Sequence, residues 1–181
     1  MNTIRGKLYP LIKAQIGSET LIFADQNAPR PPLPYWTLRL AAQRAVGEDA
    51  YSQGVDANGD QLVSGVREIT VQVQRFGPDS DVACSDLRDN LSRTTVSEAW
   101  QIEKIALYDV GDVLNVPYKL DNSQLEPRAS VDLFVRFGTE LLDRVGVIET
   151  VETSAGYVTN QTLGFDEVNP DLAEVITAVV L

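Results

Sequence analysis

The sequence predicts an α+β domain: a small antiparallel or mixed β-sheet flanked by helices on one face. Three observations carry this. Apolar residues recur at helical spacing from Ile4 to Ile16 and again over residues 80–91. Apolar and polar residues alternate through Val66–Phe76 and Ala129–Phe137. The element order is helix, strands, two helices, strands, and such segregation favours helices packed against a non-parallel sheet.

The first helix carries Ile4, Leu8, Leu11, Ile12 and Ile16 on one stripe despite Pro10, with Thr3 as N-cap and Gly17 as the stop. Leu21-Ile22-Phe23 reads as a short strand. Four prolines then fall within the eight residues Asn27–Pro34. That density excludes a helix or a central strand, so the segment is expected to run extended. A rigid connector is favoured there over a ligand for an SH3-type partner. Tyr35–Leu40 reads as a strand, with Trp36, Leu38 and Leu40 opposite Tyr35, Thr37 and Arg39.

The polar stretch between Gly47 and Gly65 centres on Asp56-Ala57-Asn58-Gly59-Asp60. Asp56, Asn58 and Asp60 imitate the opening ligands of a calcium loop. Gly59 is misplaced for one, however, and Arg67 stands where a closing Glu belongs, so a hairpin turn is expected. Val66–Phe76 sets Ile69, Val71 and Val73 opposite Thr70, Gln72 and Gln74, and Gly77-Pro78 ends it. Asp79 or Ser80 caps a helix to about Leu91, whose inner stripe is Ala83, Cys84, Leu87 and Leu91. A second helix opens at a capping box, Thr95–Glu98, and is expected to turn Ala99, Trp100 and Ile102 to the core.

Ile105–Tyr108 reads as a strand, Gly111 as a turn and Asn115–Leu120 as a loop. In Ala129–Phe137, Val131, Leu133, Val135 and Phe137 share one face against Ser130, Asp132 and Arg136. Phe134 breaks the pattern, as a partner contact or a second-layer contact. A connection over Gly138–Arg144 is expected to lead into a last strand, Val145–Thr153. The tail Phe165–Leu181 ends in a strand-prone apolar run that should dock on its own sheet or add to a neighbour's. The expected organisation is therefore a domain over residues 1–164 and a C-terminal arm over 165–181.

Composition narrows the chemistry. The 181 residues include no histidine, which removes the commonest general base and metal ligand. The single cysteine, Cys84, cannot form an internal disulfide and is expected to be a small core residue, in a chain of cytosolic origin. A net charge of −11 disfavours tracking of phosphates. Lys7 and Lys13 interrupt any secretory signal, and no apolar run reaches the roughly 18 residues of a membrane helix. No phosphate loop, dinucleotide-binding glycine signature, Ser-His pair or Cys/His cluster is present. Acidic pairs such as Asp79 with Asp81, or Glu149 with Glu152, are expected by chance among 26 carboxylates. No catalytic residue, cofactor or metal is expected. The reading is of a structural protein, not an enzyme.

Two stretches resemble the phage neck terminator (tail terminator) family of tailed bacteriophages. One is Ala24–Leu40, with its Pro-Arg-Pro to Pro-Tyr run; the other is Leu125–Asp132 leading to Val145–Val151. The Asn115-Val116-Pro117 loop sits where that family has a similar turn, and the likeness spans about residues 5 to 155. It implies a tail-terminator-like domain and a virion structural protein at the neck, made in the host bacterial cytoplasm. Copies would form a homohexameric ring that terminates the tail tube and joins it to the head connector. Genomic DNA would pass through the lumen without specific binding, and no membrane is involved. The family offers no catalytic residues to carry over.

A ring subunit needs two surfaces that meet head to tail. The candidates are the connector with its flank, Arg30, Pro31, Pro32, Leu33, Pro34 and Tyr35, and the tail's Phe165, Val175, Ile176, Val179 and Leu181. Two other classes compete with the ring: an acidic protein-binding module, acting as adaptor or nucleic-acid mimic, and a small carboxylate hydrolase.

Overall fold

A computed structural model describes residues 4–27, 29–119 and 125–146. Thr3, Leu120, the tail and the candidates Phe165, Val175, Ile176, Val179 and Leu181 lie outside the described residues. The elements run α1 (Ile4–Ile16), β1 (Thr20–Phe23), β2 (Tyr35–Tyr51), β3 (Asp60–Phe76), α2 (Ser80–Leu91), α3 (Thr94–Ile102), β4 (Ile105–Val110), β5 (Leu114–Asn115), β6 (Tyr118–Lys119), β7 (Leu125–Glu126) and β8 (Arg128–Arg144). The main sheet has the order β1-β2-β3-β8-β4, with β5 also paired to β8, and β6 pairs with β7 separately. β1 is parallel to β2, while β4 and β5 are antiparallel to β8. The sheet is mixed and the domain α+β, as the segregated pattern predicts.

The chain forms two compact units, one of residues 1–49 and 64–139, the other of residues 50–63 and 140–181. In the first, the core is one cluster. Leu8 and Ile12 of α1, Cys84, Leu87 and Leu91 of α2, and Val96 and Trp100 of α3 pack on Trp36 and Leu38, Ile69, Val71 and Val73, Ile105, and Val131, Leu133 and Val135. These strand positions alternate, so all three helices lie on one face of the sheet, and among the described residues the other carries none. α1 tolerates Pro10 within its span and stops at Gly17, whose φ of 66° suits a residue without Cβ. The expected stripe of α2 is found: Cys84, Leu87 and Leu91 are buried and Ala83 partly so.

In the second unit, Ser52 and Leu62 pair across the β2–β3 hairpin, and Asp56 closes its turn. The Asp56 Oδ1 accepts the backbone N–H groups of Asn58 and Asp60 at 2.8 and 2.9 Å, while Gly59 takes a φ of 79°. The turn reading of this loop therefore holds. Arg144 of β8 donates to Asp60, and the Gly146 N–H to the Gly59 carbonyl.

Several sequence expectations are corrected. β2 and β3 reach far past Leu40 and before Val66, and the supposed connection Gly138–Arg144 is the second half of a 17-residue strand. Most residues of β2 beyond Leu40 and of β8 beyond Phe137 are exposed, so backbone pairing holds them and no apolar alternation is written there. Val145 and Gly146 leave the strand, and the rest of the expected final strand lies outside the described residues. Asn115–Lys119 is not a plain loop, since Leu114–Asn115 and Tyr118–Lys119 pair as short strands.

The α3 capping box does not form. The helix begins at Thr94 with Arg93 at the N-cap and no side-chain cap, which places Thr95 inside the first turn. Val96 and Trp100, spaced i and i+4, face the core; Ala99 is exposed and Ile102 is 81% exposed. Asp79 holds the N-cap of α2 with φ 55° but makes no side-chain cap bond.

Candidate assembly surface

The helix-free face of the first unit is built from the alternate positions of the core strands. Tyr35 and Phe76 stand on neighbouring strands β2 and β3, and their rings stack at 4.8 Å with planes 3° apart. The connector returns over them. Arg30 lies 5.4 Å from the Tyr35 ring centre and 5.6 Å from that of Phe76, and its Nε donates to the Tyr35 hydroxyl at 2.9 Å. Its guanidinium forms an ion pair with Glu126, a carboxylate only 3% exposed. Arg128 covers Phe76 at 5.1 Å. A desolvated carboxylate is tolerated when paired, and a delocalised guanidinium suits both the ring faces and the carboxylate. Arg30 therefore pins the proline segment to the sheet.

A second cluster centres on Glu68, which is 4% exposed. Its carboxylate accepts from Tyr108, from Arg136 Nε at 2.8 Å and from Arg44 Nε at 2.5 Å. Arg136 also lies 4.4 Å over the Tyr108 ring. The Tyr108 hydroxyl above all, with the two arginines, holds the Glu68 pKa at about 2 against the desolvation that raises it. Arg44, Glu68 and Tyr108 edge a hollow of about 370 Å³. The carboxylate in it is fully committed and far from the pKa a general base needs near neutral pH.

Cys84 is fully buried, and burial pushes its thiol up to about 11, so it is no nucleophile at neutral pH. Among the described residues no group of three or more acidic or cysteine side chains is placed to hold a metal ion. No helix among them is long and apolar enough to cross a membrane.

Of the candidate interface residues, Arg30, Pro32, Leu33 and Pro34 are exposed and Pro31 is half-buried. Tyr35 is 5% exposed, with its ring spent inside the subunit on Phe76. Phe134 is half-buried beside Tyr108, with ring centres 6.2 Å apart. Sequence reasoning missed the apolar side chains exposed on the second unit: Tyr51, Leu62, Leu141, Leu142 and Val145. The Leu141-Leu142 pair was the available signal, within a segment that reads as a connection. Exposed apolar side chains of this kind suit a contact surface.

No curated protein matches the chain. The family model described as phage neck terminator protein matches residues 2–162, nearly nine-tenths of its length. The chain therefore belongs to the phage neck terminator protein family.

Proposed function

We propose that copies of this chain close into a ring at the neck of a tailed phage, ending growth of the tail tube and joining the tail to the head connector. The match to the neck terminator family over residues 2–162 carries this reading. Its structural role and virion location follow from the family; the ring, its copy number and its neighbours are the proposal. Three features support it. The groups with the largest pKa shifts, Glu68 and Cys84, move away from neutral pH, as suits a scaffold better than an acid-base site. Large apolar side chains stand exposed on the second unit, where a partner would cover them. The net charge of −11 lets DNA pass a lumen without being held.

Native mass spectrometry and electron microscopy, with and without authentic tail tubes, test it. A closed ring, free or seated on a tube end, is expected. Copies solitary under both conditions would return the chain to the binding-module reading.

A further inference from the structure

β2 has an outer neighbour over only part of its length. β1 pairs with Tyr35–Leu38, and from Arg39 to Asp49 no described strand lies beyond β2. β8 is open in the same way: β4 begins at Ile105, opposite Phe137, so Gly138–Arg144 has β3 on one side alone among the described residues. Open edges present unpaired N–H and C=O groups, and proteins usually blunt them with Lys, Pro or short length. Neither edge contains Lys or Pro.

We infer that the β8 edge of one copy adds to the β2 edge of the next in parallel, with Glu140 beside Arg44, Leu141 beside Ala45, Leu142 beside Val46 and Arg144 beside Glu48. Side chains directly opposite on neighbouring strands share a face. In this register both charge pairs are of opposite sign, with Arg44 and Glu140 sharing one face with Glu48 and Arg144. The leucines meet apolar side chains. No other register of Arg39–Asp49 against Gly138–Arg144, parallel or antiparallel, sets two opposite charge pairs together. The best antiparallel match joins Arg44 to Asp143 and leaves Glu48 and Arg144 against neutral residues. Asp143 falls beside Gly47, which has a φ of 73°.

Both cations keep enough exposed surface to reach a second carboxylate. Arg44 keeps a side chain 75% exposed while bonded to Glu68, and Arg144 one 83% exposed while bonded to Asp60. The strand sense also suits a ring. Within the first unit β2 and β8 both run antiparallel to β3, as the Tyr35–Phe76 and Arg44–Glu68 contacts and the Arg136–Glu68 and Thr139–Gly65 contacts require. They therefore point the same way, and rotation about an axis along the strands keeps that direction. One copy's β8 then meets the next copy's β2 in parallel, a head-to-tail contact that continues the sheet across subunits.

The inference rests on the ring reading, and crosslinking separates the two. Ala45→Cys with Leu141→Cys places thiols on strands about 4.8 Å apart, within disulfide reach. Val46→Cys with Leu142→Cys does the same on the other face and serves if the first pair misfolds. Cys84 stays buried and protonated. Full-length chains oxidised with copper phenanthroline should give a ladder of covalent oligomers on non-reducing gels. Single variants mixed together should stop at dimers. The pair Ala41→Cys with Leu141→Cys, displaced four residues or about 13 Å, should yield at least about tenfold less, because that span exceeds disulfide geometry. Rings by mass spectrometry without matched crosslinks would overturn the register and leave the ring standing. Solitary chains, with or without tail tubes, would overturn both. An intrachain bond between Ala45→Cys and Val179→Cys would give the β2 edge to the chain's own tail and end the inference.

Discussion

Arg75 grips the Glu19 carboxylate with two hydrogen bonds, Nε to Oε2 at 2.9 Å and Nη2 to Oε1 at 2.8 Å. The same carboxylate accepts the Trp36 indole N–H, and Arg75 lies 5.9 Å from the Trp36 ring. Residues 56 positions apart thus tie the start of β1 to β2 and β3 at the margin of the core. Arg75 is 7% exposed, so its charge depends on this partner.

Removing one member of such a pair strands the other. Glu19→Ala should destabilise the fold by about 2–4 kcal/mol, below the full range for a buried pair because Glu19 is partly solvated. Glu19→Ala with Arg75→Met should lose less than Glu19→Ala alone. Urea unfolding of the three variants checks this. A double variant weaker than the single would show that Arg75 is content without its carboxylate.

Stability should depend on acid through Glu68. Its folded pKa of about 2 lies below the ordinary 4.5, so the stabilisation is complete above pH 4.5 and drains away as the pH falls towards 2. Glu19, lowered chiefly by its bond to Arg75, acts in the same direction. Glu68→Gln should flatten part of the slope of melting temperature against pH between 4.5 and 2. An unchanged slope would remove Glu68 from the account.

The connector should be held by a single side chain. Arg30→Ala leaves the Glu126 carboxylate buried without its cation, a loss of about 2–4 kcal/mol. Proteolysis between Asn27 and Pro34 should accelerate in that variant. Arg30→Lys should recover only part, since an ammonium cannot match the flat contact with Tyr35 and Phe76.

Cys84 should ignore thiol reagents until the chain unfolds, because it is fully buried and its thiol is pushed up to about 11. Trp100, 1% exposed, anchors α3, and Trp100→Ala should remove about 3–5 kcal/mol by opening a cavity. Labelling of native Cys84 within seconds would mean that α2 opens far more readily than its packing suggests.

The α+β class, the helix at Ile4–Ile16, the α2 stripe and the alternating halves of β3 and β8 were legible in the residues alone. Each is half-buried, so the solvent boundary writes its period into the residues. The turn at Asp56–Asp60 was legible for a local reason, an Asp side chain closing on its own backbone. How far β2, β3 and β8 extend came from the fold, because strands exposed on both faces are held by backbone pairing that leaves no apolar signature. The fold alone set Arg30 against Glu126, 96 positions away, and Glu68 between Arg44 and Arg136, since ion pairs between distant residues follow from where strands meet and carry no spacing in the chain.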